Sequence, residues 1–154
     1  MRFIMQRRII ANGIYHVYSR GNQQMVIYKD GRDYEKFLTK MDFYLSNLPI
    51  EIHAYCLMPN HFHLLIQESS DSEKVGFPFI SIFMSRLLSA YAKYFCAKYK
   101  HSGHVFQGRF NSLLVDKPDY LKTLIYYIHD NPVRKSIVEK AIDWPYSSAH
   151  LTVS

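Results

Sequence analysis

Cysteine is scarce in this chain: two among 154 residues, Cys56 and Cys96. They form no CxxC pair and have no metal-ligand spacing with the histidines, which excludes a disulfide framework and a cysteine-based zinc site. A reducing, cytoplasmic setting follows as the expectation. No apolar run approaches the ~18 residues of a membrane span. The N-terminal stretch is apolar only in pieces, interrupted by Arg2, Arg7 and Arg8, and does not read as a signal peptide. Internal repeats and low-complexity linkers are also missing, so residues 1–154 are expected to form one domain with a core of its own.

Aromatic side chains and positive charge are plentiful. The chain carries 13 Tyr and 10 Phe, and its net charge is +6 with a pI near 9.3. Cations suit phosphates and rings suit bases, so the balance favours a nucleic-acid partner, although tyrosines also fill small cores.

Along the chain, Ile14–Tyr18 is rich in β-formers and meets a turn signal at Ser19-Arg20-Gly21-Asn22. Asp30–Asp33 starts a helix whose apolar positions Tyr34, Phe37, Leu38, Met41, Tyr44, Leu45 and Leu48 recur at helical spacing until Pro49. Ile50–Met58 reads as a strand with Ile50, Ile52, Ala54, Cys56 and Met58 on one face. Through Pro59-Asn60 it joins the strand beginning at His61, an antiparallel hairpin. Glu68–Glu73 is polar and reads as a mobile loop. A long helix follows over Pro78–Lys98, then a loop at 101–110 mixing glycine, cations and rings, and a short strand at Ser112–Val115. The last helix opens at Asp116-Lys117-Pro118-Asp119 and is expected to stop near Asn131, ahead of Pro132. Trp144–Ser148 packs an aromatic back onto the body. The order strand, helix, strand, strand, helix, strand predicts an α+β fold, the ferredoxin-like βαββαβ antiparallel sheet, with an added C-terminal helix.

Two features carry chemistry. In Pro59-Asn60-His61-Phe62-His63-Leu64-Leu65-Ile66, strand alternation puts His61 and His63 on one face and Phe62, Leu64 and Ile66 on the other. Two neutral imidazoles side by side can seat a divalent metal; a pair of surface or hydrogen-bonded histidines would look the same in sequence. On the last helix, at 100° per residue, Leu124, Ile125 and Ile128 fall within about 60° of Leu121 and define its buried face. Tyr127 and Asn131, about 40° apart, border that face and can address one cleft. Tyr126 lies on the other flank. A core-edge tyrosine is the plainer reading of Tyr127 taken alone.

The chain resembles the single-tyrosine HUH transposases, in particular the REP-associated tyrosine transposase branch. Five segments in the family's order carry the likeness: Tyr15–Asn22, Tyr55–Leu65, Phe106–Phe110, Tyr126–Val133 and Trp144–Ser148. The resemblance implies that His61 and His63 hold Mg²⁺ or Mn²⁺ and that Tyr127 is the nucleophile. It also implies that Asn131, the polar residue one turn later, completes the metal site. Asparagine is one methylene shorter than the glutamine often found there. Tyr127 would attack a phosphodiester of single-stranded DNA, giving a 5′-phosphotyrosine link and a free 3′-OH. The partner implied is single-stranded DNA bearing hairpins, with no membrane, and the protein could act as a homodimer or a monomer. Arg20, Asn22, Gln107, Arg109, Arg134 and Lys135 are candidate DNA contacts. A non-catalytic nucleic-acid-binding module predicts no metal-dependent cleavage, and a water-using phosphodiesterase predicts activity that survives Tyr127→Phe.

Overall fold

A computed structural model describes residues 9–75 and 78–151. Residues 1–8 of the basic N-terminal stretch lie outside it. The chain runs through β1 (Ile14–Arg20), α1 (Gly31–Leu45), β2 (Glu51–Met58), β3 (His61–Gln67), the single turn α2 (Ser72–Val75), α3 (Phe79–Tyr99), β4 (Asn111–Leu114) and α4 (Pro118–Arg134). The strands form one antiparallel sheet in the order β2-β3-β1-β4, as the βαββαβ reading requires. No helix among the described residues is long and apolar enough to cross a membrane.

The two faces of the sheet are covered differently. Phe62, Leu64 and Ile66 are fully buried against Phe37 and Met41 of α1 and Phe83, Leu87 and Tyr91 of α3. Burying each such side chain is worth roughly 1.5–3 kcal/mol. The opposite face carries a smaller core, in which Ala54, Cys56, Met58 and Leu65 meet Leu124 and Ile128 of α4. Those two residues belong to the stripe expected from helical spacing. The residues after α4 run beside β2 and reach back to the larger core, with Trp144 touching both cores. Trp144 Nε1 donates to the Leu57 carbonyl at 2.8 Å, the Leu57 N–H donates to the Tyr146 carbonyl at 2.9 Å, and the Tyr146 and Tyr34 rings stack at 4.0 Å. The expected return of the aromatic segment is thereby realised.

Several expectations need correcting. β2 does not keep one face throughout, because its register with β3 shifts between Ile52 and Ala54. The irregularity sends Ile50 and Ile52 to the larger core and leaves Ala54, Cys56 and Met58 on the α4 side. Residues 68–73 are not simply a polar loop. Glu68 is 2% exposed; its carboxylate accepts from Ser69 N and from Ile80 N in the first turn of α3. Pro78, which precedes α3, has no side-chain donor or acceptor, so a distant acid takes the capping role. The first strand continues through Ser19 and Arg20, and α1 ends at Leu45 rather than Leu48, with Asp30 accepting from Asp33 N at its start.

The largest departure is in α4, which passes through Pro132 to Arg134. Proline lacks the N–H that Ile128's carbonyl would accept from four residues on. Asn131 makes up the loss: its Nδ2 donates to the Ile128 carbonyl at 3.2 Å and to the Tyr127 carbonyl at 3.3 Å. The side chain before the proline thus carries the helix past it.

Candidate active site

The ends of β1, β3 and α4 converge on one cavity of about 1130 Å³. Its floor begins at the tight β2–β3 turn. Pro59's carbonyl accepts from Ile27 N and Tyr28 N, and Asn60's carbonyl accepts from Gly21 N at 2.9 Å. Gly21 is required here by close approach, since a Cβ would fall 2.2 Å from Met25's carbonyl oxygen. The loop before β4 is pinned to the same corner. Gly21 bridges Phe106, Gln107 N donates to the Arg20 carbonyl at 2.9 Å, and Arg20 Nε donates to Gln107 Oε1 at 2.6 Å. Gly108, with φ of +64°, turns the chain between Gln107 and Arg109 in a conformation costly for other residues.

His61 stands opposite Arg20 in the sheet, and His63 opposite Tyr18. The two imidazoles are adjacent, with ring centres 5.1 Å apart and planes at 90°. Each has its Nδ1 engaged: His61 Nδ1 donates to Asn60 Oδ1 at 2.7 Å, and His63 Nδ1 is 2.9 Å from His16 Nε2. The remaining ring nitrogen, Nε2 in both, belongs to side chains that line the cavity. Burial, with Lys135 nearby, pushes His61 down to about 4. Burial, then His61, His16 and Arg134, pushes His63 down to about 3. Both are therefore neutral near pH 7, the form that ligates metals.

Tyr127 reaches the cavity from α4. It is 46% exposed, and its ring lies 6.4 Å from that of His63 at 81°. The Arg134 guanidinium covers the other side of the phenol at 4.0 Å from the ring centre, while Asp130 stands 3.8 Å from Arg134. Tyr126, at 71% exposed, does not line the cavity. Asn131 does line it and is buried; with Nδ2 committed to its own helix, its Oδ1 is the side-chain atom left to offer a cation.

The sequence-derived set is brought together in large part. His61, His63, Tyr127, Asn131, Arg20, Gln107, Arg109 and Lys135 all border the cavity. Asn22 does not; it enters a short 3₁₀ turn, and its N–H donates to the Val105 carbonyl. Arg134 sits over Tyr127 rather than on the cavity wall. Two neighbours were missed by sequence reasoning, His16 and Asn60. His16 shares a β1 face with Tyr18, but only the β1–β3 pairing shows that this face is the one bearing His63. Among the described residues no group of three or more His, Cys, Asp or Glu side chains is arranged to hold a metal ion. A cation here would rest on two imidazoles and on oxygens from an amide or a substrate.

The model of the family described as "Transposase IS200 like" matches residues 10–131, which include His61, His63, Tyr127 and Asn131; Arg134 and Lys135 follow the matched segment. A Haemophilus influenzae protein named as a REP-associated tyrosine transposase is 36% identical over 113 residues, 70% of this chain and 64% of that protein. The chain thus spans a little under two thirds of that relative's length. A solved REP-associated tyrosine transposase bound to a REP hairpin superposes with a TM-score of 0.75 at 21% identity, over 99% of this chain and 86% of that one. A Deinococcus radiodurans structure described as a transposase gives 0.54 at 17% identity, over 85% and 97%. At these identities the structural likenesses speak to the fold.

Proposed function

The chain belongs to the IS200-like transposase family, and on that premise we propose that it nicks and joins single-stranded DNA with Tyr127 as nucleophile. The observation that carries the reading is the meeting, in one cavity and within one chain, of Tyr127 with His61, His63 and Asn131. The phenolic oxygen of Tyr127 bonds to phosphorus while the bond from phosphorus to the 3′ oxygen breaks. The 3′ oxygen leaves with the bonding pair and is protonated to a 3′-OH, and the phenol's proton passes to solvent. The product is a 5′-phosphotyrosine ester, which keeps the energy of the phosphodiester for rejoining to another end.

The site's donor set fits a divalent ion, Mg²⁺ or Mn²⁺: two neutral imidazoles with Nδ1 occupied and Nε2 on side chains facing the cavity, beside Asn131 Oδ1. Mg²⁺ prefers oxygen ligands, so the imidazole pair suits Mn²⁺ at least as well. Such an ion, when bound, polarises a non-bridging phosphate oxygen and orients the phosphorus for in-line attack. The protein's own residues do the rest. Arg134 holds the Tyr127 ring edge-on to His63, while Arg20, Arg109 and Lys135 offer cations to the flanking phosphates. Arg20 spends only Nε on Gln107, which leaves its terminal nitrogens for phosphate. The substrate class is single-stranded DNA with hairpins, in keeping with the hairpin bound in the solved relative.

A denaturing gel tests this reading. Incubated with labelled single-stranded hairpin DNA from its own genomic flanks, the protein should give a Mn²⁺-dependent covalent band. Tyr127→Phe and His61→Ala should lose that band, and Tyr126→Phe should keep it. Cleavage that survives Tyr127→Phe would overturn the assignment of the nucleophile.

A further inference from the structure

The strand pairing of β1 with β3 places a third histidine behind the pair. His16 pairs with Leu65 across the sheet, so its side chain shares the α4 face with His63, one step along the diagonal. Both rings are buried, His16 at 8% exposed and His63 at 9%. Their ring centres are 5.1 Å apart, the planes meet at 27°, and His16 Nε2 lies 2.9 Å from His63 Nδ1. Tyr18 closes the group, its ring 5.1 Å from His16 and 6.2 Å from His63.

One proton sits between those two nitrogens, and its owner decides what His63 can do. A neutral imidazole carries one ring proton. If His16 donated, His63 would carry its own proton on Nε2 and would have no lone pair to offer the cavity. If His63 donates from Nδ1, Nε2 is left as a lone pair. His61 is already held in the second way, since Asn60 Oδ1 is an acceptor only. We infer that His16 is the positioning residue of His63: it accepts the His63 Nδ1–H and so presents Nε2 as a metal-binding lone pair. The inference rests on the proposed role of His61 and His63 as a cation seat. Outer partners of this kind set the tautomer and orientation of ligating histidines, and losing one weakens metal binding about 10–100-fold.

The test is Mn²⁺ titration of the full-length protein, followed by electron paramagnetic resonance of the free ion, on wild type, His16→Phe, His16→Gln and His63→Ala. His16→Phe keeps a ring of similar size but cannot accept a hydrogen bond; His16→Gln can accept through Oε1. Thermal melts check that each variant is folded. The expected result is Mn²⁺ affinity about 10–100-fold lower in His16→Phe, within a few-fold of wild type in His16→Gln, and lost in His63→Ala. Long-range nitrogen–proton NMR of the metal-free wild type should show His63 protonated at Nδ1. Wild-type affinity retained in His16→Phe, or His63 protonated at Nε2, would overturn the role of His16 and leave the metal seat standing. Mn²⁺ binding that is absent, or indifferent to His63→Ala, would overturn the seat itself and the inference with it.

Discussion

The passage of α4 through Pro132 makes a quantitative claim about Asn131. Pro132 deprives the Ile128 carbonyl of its helical donor, and Asn131 Nδ2 supplies one at 3.2 Å while also reaching the Tyr127 carbonyl at 3.3 Å. Asn131 is 4% exposed, so water does not readily replace the amide. Asn131→Leu keeps similar bulk, removes the donor and leaves a buried carbonyl unsatisfied, a cost of about 1–3 kcal/mol. For a chain of this length that is a drop of roughly 5 °C in melting temperature. Pro132→Ala restores the N–H. In wild type the new N–H shares a carbonyl that already has a partner, whereas in the Asn131→Leu background it is the sole donor. Pro132→Ala should therefore stabilise the Asn131→Leu protein by about 1 kcal/mol more than it changes wild type. Urea unfolding of the four proteins measures that coupling. Additivity within ~0.5 kcal/mol would refute the account of how the helix survives its proline.

Two further outcomes follow from contacts remote from the cavity. Asp33 is fully buried between α1 and α3, where it accepts from Lys29 N, Tyr94, Lys98 and Tyr99. Burial acts to raise its pKa, but the hydrogen bonds from Lys98, Tyr99, Lys29 N and Tyr94 outweigh it and hold the carboxyl at about 2, below the ordinary 3.8. A depressed carboxylate stabilises the fold above its unfolded value, and that contribution is lost as pH falls from about 4 through 2; the difference is worth roughly 2 kcal/mol. Asp33→Asn should be less stable than wild type at neutral pH, with the gap narrowing over that acid window in denaturant melts. A gap constant with pH would contradict the assignment. Trp144→Phe removes the donor to the Leu57 carbonyl and should cost about 1 kcal/mol in urea unfolding, with no change expected if that carbonyl finds another partner.

Some of this protein was written in one-dimensional order. Alternation along His61–Ile66 put Phe62, Leu64 and Ile66 on one face and the two histidines on the other, and the side chains lie so because strand geometry is local. The stripe of α4, and the distinction between Tyr127 and Tyr126, likewise followed from 3.6-residue periodicity. Local rules failed where a distant partner overrode them. Helical geometry is disfavoured before proline, yet α4 continues because the Asn131 side chain replaces the missing bond and the core holds the turn in place. Glu68 looked like loop polarity because its partner, the Ile80 N–H, is twelve residues on.

What only the tertiary structure decided is which side chains share a hydrogen bond across strands. His16 lies forty-seven positions before His63, and no periodicity along β1 announces their contact at 2.9 Å. Residue types and their alternation determine which way each side chain faces, because backbone geometry is set within a few residues. Register, and with it the partner that each buried polar atom finds, is set only when the strands pair.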